Sequence, residues 1–289
     1  MNSVPSAIAP LTLGFSSCPN DTFIFHALVR QEAGMDCPAC APEVVADVET
    51  LNRWALAGRL DVTKLSFHAL GHVLDRYVLL TAGSALGRGC GPLLVAGRSF
   101  PQEEWPSLRI AVPGRYTTAA LLLRLFAPEA RTVRMMRFDE IMPAIAGGEV
   151  DAGVIIHESR FTYQDHGLVL LQDLGAWWEQ TTGLAIPLGG IAARRSLGRE
   201  RLLAINRCLR ASLARALADP AASLSYVRGH ARELNDRVIR SHIELYVNEH
   251  SLDLGETGLA AVREFLARGR KAGILPRNFS NLALTCEEL

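Results

Sequence analysis

The side chains able to hold a ligand or move a proton gather in a few short segments. His157-Glu158 follows the apolar run Gly153-Val-Ile-Ile156, so its imidazole is expected to emerge at a strand's carboxyl end. A neutral histidine there can act as a general base near neutral pH. Phe161 stands where a zinc-protease helix would need its second histidine, which excludes that chemistry. Lys64-Leu65-Ser66 closes another apolar run. An ammonium in such a strand needs a partner or a route to solvent, because burying it unpaired is costly; its plainer role is a surface residue on the strand's other face. Thr117-Thr118, after Pro113-Gly114, and Asn20-Asp21, after Ser16-Ser-Cys-Pro19, each sit between a strand and a helix. Such helix starts suit a carboxylate or a hydroxylated ligand through free N–H groups and the helix dipole, with helix capping as their other role.

Other constellations carry less. Cys18 has no base near it in the chain, so a nucleophilic role is not expected. His68 and His72 have the i, i+4 spacing of a zinc grip, but an isolated pair reads as structural or solvent-facing histidine. Cys37-Pro-Ala-Cys40 lacks the second close cysteine pair of a structural zinc and lies in an expected surface turn, residues 34–42. Gly87-Arg-Gly-Cys-Gly-Pro92 lacks the Gly-Lys-Ser/Thr ending of a phosphate loop and opens no helix. No metal and no nucleotide cofactor are implied.

To position these groups the chain alternates apolar runs with helical stretches, the pattern of an α/β protein. Strands are predicted over 11–16, 43–48, 61–67 and 77–82, with helices over 21–32 and 49–57. A second series places strands at 108–112, 132–138 and 150–156 and helices at 117–126 and 140–146. Four helices follow, at 199–217, 221–233, 237–248 and 256–271. The segment Ala55-Leu-Ala-Gly-Arg-Leu-Asp61-Val-Thr-Lys-Leu-Ser66 echoes Ala144-Ile-Ala-Gly-Gly-Glu-Val-Asp151-Ala-Gly-Val-Ile-Ile156, so two similar lobes are expected. Ligands of such sheets lie beyond the carboxyl ends of the strands, which puts Ser66, His68, His157 and Glu158 near one cleft. Extended, glycine-flanked segments at 92–97 and 184–193 are the expected crossings. The first lobe then comprises 1–96 and 188–289, and the second 97–187.

With 289 residues, 49% of them hydrophobic, the chain can bury a large core. Thirty basic residues balance thirty acidic ones, which argues against nucleic acid or a membrane surface as partner and for a small molecule. No apolar run approaches the length of a membrane span. The first 29 residues hold no Lys or Arg, and six scattered cysteines make no disulfide framework, so a reducing cytoplasm is expected.

Two lobes crossed twice resemble the type II periplasmic-binding-protein-like fold. The chain further resembles the 1,4-dihydroxy-6-naphthoate synthases of the futalosine route to menaquinone. That resemblance is carried in order by Ser17-Cys-Pro-Asn-Asp-Thr-Phe-Ile-Phe-His26, Asp61-Val-Thr-Lys-Leu-Ser-Phe-His68, Leu86-Gly-Arg-Gly-Cys-Gly-Pro92, Pro113-Gly-Arg-Tyr-Thr-Thr118, Phe138-Asp-Glu-Ile-Met-Pro143, Ile155-Ile-His-Glu158 and Pro187-Leu-Gly-Gly190. It implies a cofactor-free carbon–carbon lyase acting on cyclic dehypoxanthine futalosine. Lys64, Leu65, Ser66, Thr117 and Thr118 would contact substrate, and His157 would accept the proton. The alternatives are the sister enzyme chorismate dehydratase and a non-catalytic solute-binding protein of the same fold.

Overall fold

A computed structural model describes residues 9–32, 37–231, 235–276 and 281–283. The chain opens with β1 (Leu13–Phe15), α1 (Pro19–Val29), β2 (Val44–Val45), α2 (Val48–Leu56), β3 (Val62–Ser66), α3 (Phe67–Val73), β4 (Tyr77–Leu79) and β5 (Ala85–Gly87). It continues through β6 (Leu93–Ala96), β7 (Arg109–Val112), α4 (Thr118–Phe126), β8 (Thr132–Met135), α5 (Ile141–Ala146), β9 (Ala152–Ile155), α6 (Ser159–Thr162), β10 (Val169–Asp173) and α7 (Leu174–Thr182). β11 (Ile186–Arg194) then leads into α8 (Arg199–Ala218), α9 (Pro220–His230), α10 (Asp236–Tyr246), α11 (Glu249–Leu252) and α12 (Gly255–Lys271). Residues 34–36 of the expected turn and 232–233 of an expected helix lie outside the described residues.

Two sheets result. The first has the order β2-β1-β3-β11-β4, with β5 also paired to β11; the second runs β10-β6-β9-β7-β8. Strand β6 pairs with β9 and β10, so the chain leaves the first sheet before Leu93. The lobe boundary expected at residues 96/97 therefore falls one strand late. Leu93–Ala96 is fully buried and reads as a connector in isolation, because only its distant partners reveal which sheet it joins. On return, β11 runs antiparallel to β3, β4 and β5.

The sequence echo has a structural cause. Asp61 accepts hydrogen bonds from Thr12 N (2.9 Å) and Thr12 Oγ1 (2.8 Å). Asp151 does the same for Arg109 N (2.8 Å) and the Arg109 guanidinium. Each aspartate thus anchors the start of one central strand, β3 or β9, to the residue leading its parallel neighbour, β1 or β7. Asp47 caps α2 through Glu49 N and Thr50 N, and Gly58, at φ +62°, lets the chain turn away after it.

One apolar core runs through both sheets: Leu65 and Leu79 of the first join Leu94 and Ile110 of the second, with Leu121, Trp178 and Phe265 between the helices. The Trp178 and Phe265 rings meet edge-on at 5.6 Å, so α12 packs on α7 of the other half. A second cluster fixes α1, α8 and α9 to the far face of the first sheet. Cys37 and Cys208 form a disulfide within it. The Cys37-Pro-Ala-Cys40 segment, expected as a surface turn, thus contributes a cross-link that local spacing does not show: 171 residues separate the pair, and only tertiary packing brings them together.

Candidate active site

A cleft opens between the two sheets, the kind of junction where small-molecule sites form. Asn20, Asp21, Lys64, Leu65, Ser66, Thr117, Thr118 and His157 all line it. His68 and Glu158, also expected near the cleft, are not among its lining residues.

On the first-sheet side, Lys64 Nζ ion-pairs with Asp21, and both side chains are buried. Asp21 also accepts from Ser16 N (3.2 Å), Ser16 Oγ (2.6 Å) and Asn20 Nδ2 (3.0 Å). The expected capping role of Asn20 or Asp21 is thereby corrected. Cys18 is the N-cap residue of α1, no side chain caps it, and Pro19 removes one of the donors a cap would serve. Asn52 clasps Ser66, donating from Nδ2 to Oγ (3.2 Å) and accepting from Ser66 N (2.9 Å). Gly189 pairs with Ser66 across the β3–β11 ladder; a Cβ there would stand 2.8 Å from the Leu65 carbonyl oxygen, so only glycine fits.

On the second-sheet side, α4 aims its N-terminus at the cleft. Thr117 Oγ1 accepts from Ala120 N (3.2 Å) and donates to the Gly114 carbonyl (3.0 Å), while Thr118 Oγ1 donates to the Leu188 carbonyl (2.5 Å). Both threonine hydroxyls are thus engaged within the protein. What this helix end offers an anion is the first-turn N–H groups of Thr118 and Ala119, which have no intrahelical partner.

Several contacts span the halves. The Thr118–Leu188 bond is one. Glu49 of α2 accepts from Arg115 N and Tyr116 N, each at 3.0 Å. His68 Nδ1 lies 3.1 Å from the Thr117 carbonyl. Burial pushes the His68 pKa down to about 4, so the ring is neutral and donates that bond from Nδ1. His68 thus ties the two halves together, and His72 packs 5.3 Å from it, ring to ring. Among the described residues no group of three or more His, Cys, Asp or Glu is arranged to hold a metal ion.

His157 follows β9 in the left-handed backbone region, φ +57°, a conformation uncommon for a non-glycine residue and found at sites that must aim a side chain. Its Nδ1 lies 3.2 Å from Cys18 Sγ, and its ring meets Phe138 edge-on at 5.1 Å. Dense surroundings push the imidazole pKa below its ordinary value, against the opposing pull of Glu158 and Asp21. Cys18 therefore does have a base beside it, delivered from 139 residues away. It is no thiolate: burial, with Glu158 and Asp21 nearby, holds its pKa well above the usual thiol range. Cys90, also on the cleft wall, is pushed up to about 12 by burial.

The tail supplies residues that the sequence reading missed. His242 and Tyr246 of α10 line the cleft, and His242 lies near-parallel to His157, with ring centroids 6.2 Å apart. The available signal was the buried stripe Ile239, His242, Tyr246 on an otherwise polar helix.

A family described as menaquinone biosynthesis matches residues 11–271. The chain belongs to the menaquinone biosynthesis family. Among its relatives, the 1,4-dihydroxy-6-naphthoate synthase of Thermus thermophilus is 54% identical over 264 residues, covering 91% of this chain and 95% of the relative. That of Streptomyces coelicolor is 47% identical over 272 residues, covering 92% and 95%. The chain is accordingly an enzyme of menaquinone synthesis. The fold is periplasmic-binding-protein-like: the alkanesulfonate-binding protein of Xanthomonas axonopodis superposes with a TM-score of 0.69 at 15% identity, over 94% of this chain and 96% of that one. Among the described residues no helix is long and apolar enough to cross a membrane.

Proposed function

We propose that this family member is a carbon–carbon lyase that converts cyclic dehypoxanthine futalosine into 1,4-dihydroxy-6-naphthoate and a sugar-derived fragment. The observation that carries the reading is His157, held neutral by its dense surroundings and set in a left-handed turn at the cleft that the N-terminus of α4 also lines. The names of its relatives point the same way.

In this scheme the N–H groups of Thr118 and Ala119, with Ser66, hold the substrate carboxylate. His157 takes a proton from a hydroxyl of the sugar-derived ring. That C–O becomes a carbonyl as the adjacent C–C bond breaks, and the electron pair of the broken bond passes into the bicyclic system that becomes the aromatic naphthalene. A hydrogen bond from Nδ1–H to Cys18 Sγ would leave Nε2 as the acceptor. The protein contributes positioning, proton removal and stabilisation of developing negative charge. The same reading puts the enzyme in the cytoplasm, where the Cys37–Cys208 bond would stand open under a reducing poise.

The test is turnover. Purified protein incubated with cyclic dehypoxanthine futalosine should yield dihydroxynaphthoate, followed by mass. Tight binding with unchanged ligand would make the chain a solute-binding protein, and consumption of chorismate instead would make it the sister dehydratase.

A further inference from the structure

His242 is 1% exposed and lines the cleft, yet its Nδ1 has no hydrogen-bond partner. Its other nitrogen fixes what Nδ1 must be. Asn20 Nδ2 donates to the Asp21 carboxylate (3.0 Å), an acceptor that would repel the amide oxygen, so Asn20 Oδ1 is turned toward His242 Nε2 at 2.9 Å. An oxygen acceptor there requires the proton on Nε2. In the neutral ring Nδ1 is then a bare lone pair, buried and unsatisfied, which is costly unless a ligand donates to it. The ring is neutral, because burial, with His157 and Lys64 close by, pushes its pKa well below the ordinary value. One turn on, Tyr246 reaches the same cleft, and burial keeps its phenol protonated and able to donate.

We propose that α10 forms a hydroxyl subsite, in which His242 Nδ1 accepts a hydrogen bond from a hydroxyl on the sugar-derived part of the ligand, with Tyr246 beside it. The identity of that hydroxyl rests on the function proposed above; the acceptor does not. The His157 and His242 rings face each other at 6.2 Å, a spacing that two hydroxyls on neighbouring carbons can bridge. One would lose its proton to His157 while the other is held by His242. The subsite thus selects the hydroxylated substrate over the flat aromatic product, which has lost that ring.

Two substitutions separate this role from a scaffolding one. His242→Asn puts an amide oxygen near the place of Nδ1 but gives up the bond to Asn20, whereas His242→Gln keeps a donor for Asn20 and gives up the acceptor. Expected for His242→Gln is a KM for cyclic dehypoxanthine futalosine raised about tenfold, with product Kd within about twofold of the parent. Expected for His242→Asn is a KM within about threefold of the parent. The reverse pattern, with Gln rescuing and Asn failing, would make His242 a support for Asn20 and overturn the subsite. Nitrogen-15 NMR of histidine-labelled, ligand-free protein reads the acceptor independently of any substrate: a proton on Nδ1 of His242 overturns the inference. A bare Nδ1 in a protein that does not turn over the futalosine keeps the acceptor while refuting the proposed function.

Discussion

The buried Lys64–Asp21 pair should respond asymmetrically to substitution. Asp21 receives three neutral hydrogen bonds, from Ser16 N, Ser16 Oγ and Asn20 Nδ2, besides its contact with Lys64. The Lys64 ammonium, 5% exposed, is matched by Asp21 alone among the described ion pairs. Asp21→Asn leaves a buried cation without its counter-charge, an arrangement that costs about 3–5 kcal/mol. Lys64→Met removes the cation instead and leaves a carboxylate that keeps three donors, so about 1–3 kcal/mol is expected. The double variant should recover stability relative to Asp21→Asn, since it buries no unpaired charge. At roughly 2–4 °C per kcal/mol for a chain of this size, Asp21→Asn should lower Tm by on the order of 10 °C. Urea unfolding and thermal melts of all four proteins at pH 7 make the comparison. A Lys64→Met cost equal to or above that of Asp21→Asn would refute the reasoning, as would a double variant no more stable than Asp21→Asn.

Acid should weaken the fold through His68. Its folded pKa, about 4, lies below the unfolded value of 6.5, so the unfolded chain binds the extra proton. The stabilisation is complete above pH 6.5 and is lost as pH falls toward 4, by about 2 kcal/mol at pH 5. His68→Asn, which keeps a donor for the Thr117 carbonyl, should show a correspondingly shallower loss in urea unfolding between pH 7 and 5; an unchanged slope would contradict the assignment. Thr117→Val removes the cap of α4 and should cost about 1 kcal/mol in the same assay, with KM within about threefold of the parent because the helix N–H groups remain. A KM rise of tenfold or more would return the carboxylate to the hydroxyl. Cys37→Ser should lower stability by about 2–5 kcal/mol under oxidising conditions and have little effect in the presence of a thiol reductant. Equal losses in both would mean that packing rather than the bond is responsible.

What was legible in the sequence is what local chemistry writes. The echo around Asp61 and Asp151 is visible because each lobe needs the same anchor at the head of a central strand, and glycine after α2 marks a real left-handed turn. His157 stands out because it ends an apolar run. Features set by partners far along the chain were not legible. Strand β6 is assigned by its pairing with β9, the disulfide by packing across 171 residues, and the Cys18–His157 contact by closure of two lobes. His242 escaped notice for the same reason: its helix shows a buried stripe but not what that stripe faces. Thr117 and Thr118 line the cleft, yet the destination of each hydroxyl depends on Gly114 and Leu188, which pattern reading does not supply.

The central claim is that His157 takes the proton, and His157→Asn tests it most directly. Asparagine keeps some of the hydrogen bonding and cannot serve as a base at neutral pH. The account predicts a kcat on cyclic dehypoxanthine futalosine lower by about a hundred to ten thousand fold, with product affinity by calorimetry and Tm close to the parent. A folded variant that binds product normally and retains near-parent kcat would contradict the account and hand the proton to another group.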